Sequence, residues 1–324
     1  MAKFGIPYMG SKSKLALDLI GVMPTGRRFV DLFGGGFAMS HCAYLSGRFE
    51  EVYYNDINPL LVPLIQDAID GKYSYDVFKP KFITREEFFE KKDTCGYVKY
   101  IWSFSNDGKT YMFGKHIEDI KRKAHDYVVF DVFDIELEEY IGNGRLTKTD
   151  ITGRRLELCN LVREHKATLK EKVRLEPLER LERLQQLERL QQLEGLQRLQ
   201  QLERLQQLER LERLQQLEHD RGNLFGNNVK LTLNTGNYTD YEYQEGDVVY
   251  CDIPYENTRG YNKEDYFDHK AFYSWALTRD YPIYISSYEL PVCFFCFFEK
   301  ERRCLANGSV STSYKTEKLF TNKA

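Results

Sequence analysis

No stretch of this sequence is long and apolar enough to cross a bilayer. The longest strongly apolar run, Leu290 to Phe298, covers less than half of what a spanning helix needs. The N-terminal Met1-Ala2-Lys3-Phe4-Gly5 has no apolar signal core, so a soluble, cytoplasmic chain is expected. Cysteine is sparse: of seven, only Cys293 and Cys296 make a Cys-x-x-Cys, and no second ligand pair stands at zinc-site spacing. No metal is expected, and the thiols read as buried groups in a reducing cytoplasm. A surplus of positive charge is also missing. With 46 Lys and Arg against 49 Asp and Glu, the net charge is -3, which excludes a globally basic surface and leaves local patches for any nucleic-acid contact. What is present is 324 residues of ordinary apolar content, rich in Tyr and Phe, enough for one α/β catalytic domain with insertions or two modest domains.

From Arg28 to Gln66 the sequence alternates between strand and helix. Phe29-Val30-Asp31-Leu32-Phe33 is a buried-strand pattern, Gly34-Gly35-Gly36 breaks it, and Phe37 to Leu45 has helical period. A second strand, Glu51-Val52-Tyr53-Tyr54, leads to Asn55-Asp56-Ile57-Asn58-Pro59, which gives the βαβ opening of a doubly wound, Rossmann-like sheet. Residues 76–172 lose that rhythm and gain Lys, Arg, Phe and Tyr, as suits a mainly helical recognition insertion. Strand patterns return at 229–233, 247–251 and 282–286, so residues 1–75 and 223–324 are expected to form the catalytic domain.

Between the halves lies an array of Leu-Glu-Arg and Leu-Gln-Gln units. Leucine occupies every third position from Leu175 to Leu217, fifteen in all. The composition favours a long helix over 175–218, about 65 Å if continuous. Three residues advance about 300°, so the leucine stripe slips around the helix and holds no simple coiled-coil seam. A spacer or self-associating coiled-coil arm is one reading. A tolerated insertion with leucines exposed on all sides is the simpler one.

Three features carry chemistry. The Gly-rich turn Asp31 to Gly36 lets backbone approach a ligand at a helix N-terminus. Asp56, at the end of the next strand, suits an acceptor for ribose hydroxyls, with an Asx-type cap as the alternative. Asp252-Ile253-Pro254-Tyr255 follows an apolar strand whose C-terminal end faces the ligand crevice. An exocyclic adenine amine is a poor nucleophile until acceptors engage its N-H groups. The Asp252 carboxylate and Ile253 carbonyl suit that task, Pro254 stiffens the turn, and Tyr255 can stack on an extruded base.

These motifs, in this order, resemble the Dam-type (α-group, D12-class) DNA adenine-N6 methyltransferases of phages and bacteria, across roughly residues 3–172 and 223–322. Tyr8-Met9-Gly10-Ser11-Lys12 is similar to the family's N-terminal cofactor motif, and Phe33, Gly34 and Gly36 fall on its cofactor loop. Asp56 falls on the ribose-binding acid. Asp252 to Tyr255 is similar to the catalytic Asp-Pro-Pro-Tyr, with Ile253 replacing the first proline and still providing a carbonyl, and the resemblance also implies that Asp252 contacts the cofactor. Asn237-Tyr238 stands where the family often has Asp-Tyr near the cofactor adenine. The tail from Arg302-Arg303 through Lys315 to Phe320 resembles the family's C-terminal segment. The resemblance implies S-adenosylmethionine as cofactor and double-stranded DNA as partner, with methyl transfer to adenine N6 after base flipping, in a restriction-modification or similar setting. It also implies DNA contacts in the middle segment, where Asn106, Lys109, Tyr111, Lys115, Lys121, Arg122 and Lys123 lie, with 121–123 assigned to phosphates. RNA methylation, or a catalytically silent DNA-binding or oligomerising protein, are the alternatives.

Overall fold

The computed structural model describes residues 4–175, 206–224, 229–256, 267–305 and 312–323. Its centre is a seven-stranded sheet of β1 (Arg28–Asp31), β2 (Glu51–Asp56), β3 (Lys230–Thr235), β4 (Asp247–Cys251), β5 (Ile283–Ser287), β6 (Phe295–Leu305) and β7 (Thr312–Thr321). The spatial order is β3-β2-β1-β4-β5-β7-β6. The first five strands pair in parallel, and β7 runs antiparallel to both β5 and β6. This is the mostly parallel, Rossmann-like sheet expected from the βαβ opening. Strands β1 and β4 are buried along their whole length, as parallel strands covered on both faces must be. The chain winds outward from β1 to β3, then returns to β4 on the other side of β1. The order therefore reverses between β1 and β4, and the crevice beyond their C-terminal ends is where such sheets bind ligands.

Helices α1 (Ala16–Val22) and α2 (Ala38–Leu45) contribute to a cluster with Phe29, Val52, Val248 and Leu319. Next to it, on the same face as Val52 and Tyr54 of β2, packs α3 (Leu61–Ile69), followed by α4 (Arg85–Lys91), α5 (Gly96–Ile101), α6 (Glu118–Phe130), α7 (Glu138–Ile141) and α8 (Ile151–Leu175). The helix His269–Leu277 packs on the opposite face against Val30, Val249 and Ile283. One continuous cluster runs from Ile6, Phe37 and Tyr54 through Leu64, Tyr100 and Trp102 to Leu211, Leu214 and Leu217. It crosses residue 75, where the sequence pattern changes.

The end of the leucine array corrects the expectation of exposed leucines. Gln206–Leu224 is a helix, α9, and Leu208, Leu211, Leu214 and Leu217 are between 0 and 2% exposed. Leu208 enters a cluster with Val128, Leu158 and Val162, whereas the next three leucines join the central cluster. A stripe that turns through about 180° over ten residues cannot form one seam, but it suits a helix clasped from several sides. Polar members of the units are used as well. Arg210 donates to the carbonyls of Ile101 and Ser103 at 2.9 and 2.7 Å, capping the C-terminal end of α5. Burial pushes its pKa down to about 10, so it stays charged at neutrality. Arg155 grips Glu212 through two nitrogens at 3.0 and 2.9 Å and Glu209 at 3.1 Å. The expected repeat helix over 176–205 lies outside the described residues.

Cysteine placement also differs from expectation. Cys42, Cys159 and Cys251 are buried, but Cys293 and Cys296 are exposed where the chain enters the edge strand β6. No helix of the described residues is long and apolar enough to cross a membrane.

His125, on α6, gives the fold a pH dependence. Its Nε2 lies 2.7 Å from the Pro80 carbonyl, and burial pushes its pKa down to about 4. The unfolded chain protonates this ring below about 6.5 while the folded chain resists. Stability is therefore fully present above pH 6.5 and drains as pH falls toward 4, by about 2 kcal/mol between pH 7 and pH 5. Urea unfolding at those two pH values should show a larger loss in the wild type than in His125→Gln. Equal losses would remove His125 as the cause.

Candidate active site

The turn after β1 is held from below and behind. Gly34 donates its N-H to the Asn55 carbonyl at 2.9 Å, and Ile6 donates to the Gly36 carbonyl at 2.8 Å. The Tyr54 hydroxyl donates to the Gly35 carbonyl at 2.8 Å. A Cβ on Gly34 would meet the Tyr54 ring at 2.1 Å, and one on Gly36 would meet Tyr8 Cβ at 2.5 Å. The glycines are thus required by close packing. Phe37, with φ of 66°, turns the chain into α2.

Two carboxylates bracket this turn. Asp31, at the end of β1, is fully buried. Ser40 donates its hydroxyl to Asp31 Oδ2 at 2.8 Å, and Oδ1 has no hydrogen-bond partner among the described residues. Burial, then the neighbouring charges of Asp252 and Asp56, push its pKa up to about 7. Asp56 accepts the Gly35 N-H on Oδ2 at 2.8 Å and the Asn58 N-H on Oδ1 at 2.9 Å. Asp56 thus caps its own turn, as the cap reading has it, and also fixes the Gly-rich turn. Each oxygen keeps acceptor capacity for another donor.

Across the switch point, β4 delivers Asp252. The N-H of Leu32 donates to the Tyr250 carbonyl at 3.0 Å, which sets the two strand ends side by side. Lys12 donates to both Asp252 oxygens, at 2.6 and 2.8 Å, and is only 6% exposed. The Lys12 ammonium also lies 4.7 Å from the centre of the Tyr255 ring. Gly10, with φ of 80°, turns the chain so that Tyr8 packs beside Gly35 and Gly36 while Lys12 reaches Asp252. Ile253 is 2% exposed, in a cluster with Val30, Leu32, Val249 and Ile283. That apolar setting explains why a branched hydrocarbon stands at this position. The Pro254 carbonyl meets His269 Nε2 at 2.6 Å.

Phe33 stacks on Tyr238 with ring centres 5.2 Å apart, and Tyr238 packs edge-on against Trp275 at 4.9 Å. Asn237 is exposed and acts locally as a cap. Its side chain accepts the Thr239 N-H at 3.1 Å, and its own N-H donates to Asp240 at 3.3 Å.

Residues 8–134 match the family model of D12 class N6 adenine-specific DNA methyltransferases. The match covers Tyr8, Lys12, the Gly-rich turn and Asp56, and it supports a Dam-type adenine methyltransferase acting on DNA. Asp252 to Tyr255 lie beyond the matched segment, and the fold brings them to it. No curated protein matches the chain.

The recognition residues expected for such a methyltransferase divide sharply. Tyr111 is 3% exposed and donates its hydroxyl to the Ile83 carbonyl at 2.7 Å. Lys121 is 2% exposed, with its ammonium 5.7 Å from the Phe113 ring centre. Both belong to the core, which corrects their assignment to DNA. Arg122 pairs with Asp119 at 2.6 Å, and Lys123 lies among Glu136, Asp119 and Asp134 at 2.7 to 3.4 Å, so both cations are paired with acids of this chain. Asn106 donates to the Tyr100 carbonyl at 2.7 Å, which shapes the loop that carries the partly exposed Lys109, while Lys115 is exposed. Asp31 carried a sequence signal only as the first residue of the Gly-rich turn, and no role was legible for Ser286 or Glu317. The last two come from β5 and β7, and only the sheet brings them to Tyr255. Among the described residues no cluster of His, Cys, Asp and Glu could hold a metal ion.

Proposed function

We propose that this protein uses S-adenosylmethionine to methylate N6 of adenine in double-stranded DNA, with the target base extruded into the crevice between β1 and β4. The observation that carries this reading is the Asp252 carboxylate, held on Lys12 at the C-terminal end of β4 beside the Gly-rich turn. The crevice suits the cofactor. Asp31 offers a buried, unsatisfied oxygen, the turn is bare of side chains at three successive glycines, and Phe33 and Tyr238 provide an aromatic wall. Asp56 would hold the ribose hydroxyls, Tyr8, Gly10 and Lys12 would close the N-terminal side, and Asn237 would sit at the rim. S-adenosylmethionine, when bound, supplies an electrophilic methyl group.

The chain's own residues do the rest. Lys12 fixes the Asp252 carboxylate in one orientation before any base arrives, so its acceptor strength costs no reorganisation. Asp252 and the Ile253 carbonyl would accept the two N-H bonds of the exocyclic amine and draw its lone pair out of the ring. Tyr255 would stack on the base, its ring held in place beneath the Lys12 ammonium. Asn106, Lys109 and Lys115 would serve the DNA, with the lysines on phosphates.

The test is incubation of the protein with methyl-labelled S-adenosylmethionine and unmethylated duplex DNA, followed by digestion to nucleosides. Label in N6-methyl-2′-deoxyadenosine from the DNA is expected, with competing RNA left unlabelled. Bound cofactor without labelled adenine would end this reading, and label in the RNA would reassign the substrate.

A further inference from the structure

Glu317 is a buried carboxylate to which neither the sequence motifs nor the family match assigns a task. It lies on β7, between β5 and β6, and is 1% exposed. Alternation along β7 decides which way it points. Leu319, two residues on, belongs to the cluster containing Leu15 and Ala16, whereas Phe320 belongs to the cluster on the opposite face. Glu317 therefore faces the segment just before α1, where Lys12 stands. Ser286 of β5 pairs with Leu319 and shares that face.

Three donors converge on Glu317 Oε1. The Tyr255 hydroxyl donates to it in a short hydrogen bond, the Ser286 hydroxyl donates at 3.2 Å, and the Lys12 ammonium lies 3.7 Å away. A carboxylate this deeply buried is costly unless paired and hydrogen-bonded, so the fold has reason to keep all three. Lys12 is thereby shared between two acids, Asp252 and Glu317. Tyr255 is held at both ends: its backbone belongs to the Asp252 turn, and its hydroxyl is moored to β7.

We propose that Glu317 is a positioning residue for base capture, acting through the Tyr255 hydroxyl and through Lys12. This role rests on the methyltransferase reading above. A ring moored at its hydroxyl presents a fixed face to an incoming base. Without the mooring, the ring gains freedom that base stacking must remove again. The loss then falls after DNA has bound, on kcat, and leaves the KM for DNA little changed.

The experiment is a double-mutant cycle on the full chain with Tyr255→Phe, Glu317→Gln and the double variant. Methyl transfer to unmethylated DNA and S-adenosylmethionine binding by calorimetry would both be measured. Loss of a hydrogen bond to a charged group predicts a kcat about 10- to 100-fold lower for each single variant. Cofactor affinity should hold, and the double variant should fall no lower than the worse single one. If Glu317→Gln fails to bind cofactor, Ser286→Ala tests the same oxygen more gently. It should lower kcat in the wild type and have no effect in the Tyr255→Phe background. Additive losses in either cycle, or an unchanged kcat, would overturn the proposal while leaving the enzyme reading intact. A wild-type protein that transfers nothing would remove the enzyme reading, and this role with it.

Discussion

Asp252→Ala is expected to lower methyl transfer by about 100- to 1,000-fold or more, with S-adenosylmethionine binding retained. The substitution removes the acceptor the reaction needs and leaves the acceptors of the Gly-rich turn in place. It also strips Lys12 of its nearest partner. Because Lys12 is almost fully buried, the protein should lose stability, by an amount softened by Glu317 at 3.7 Å. Asp252→Asn separates the two effects. It keeps the volume and one acceptor oxygen, so stability should recover more than transfer does. Transfer rates from labelled cofactor and urea unfolding of both variants would check this. An Asp252→Ala protein that still transfers at the wild-type rate would show that Asp252 is not the acceptor.

Deletion of Leu208–Leu217 is expected to abolish folding, although the segment reads as low-complexity repeat. Four leucines leave two clusters at once, α5 loses its Arg210 cap, and Arg155 loses both acidic partners. The graded form of the same test is Leu211→Ala, which should cost about 2–5 kcal/mol in urea unfolding through lost burial and the cavity left behind. A cost near zero would mean that the helix rests on the domain without being part of its core.

The sheet was legible because its strands are short, apolar and bounded by glycine and acidic turns. The patterns at 29–33, 51–54, 229–233, 247–251 and 282–286 each fall within two residues of the strand ends observed. The Gly-rich turn, Asp56 and Asp252 were legible because each sits at the end of such a strand, and parallel strands point those ends the same way. Lys121 was misleading for a physical reason. Three cations in a row look like a patch, but successive residues of a helix diverge by about 100°. Lys121 stands three, four and seven residues before Ala124, His125 and Val128, on the buried stripe of α6. The leucine array misled in the opposite way. Its period excludes a single seam, yet a groove lined on several sides accepts a turning stripe, and no local pattern announces such a groove. Glu317 was invisible because its partners lie 31 residues and more away in sequence and meet it only through the antiparallel placement of β7.

The most direct test of the account is sequencing that detects N6-methyladenine in the DNA of cells expressing the wild-type protein or Asp252→Ala. Methylated adenine in the wild-type cells, at a recurring sequence and absent with the variant, is the predicted result. Equal adenine methylation in both, or none in either while the wild-type protein binds S-adenosylmethionine, would contradict it.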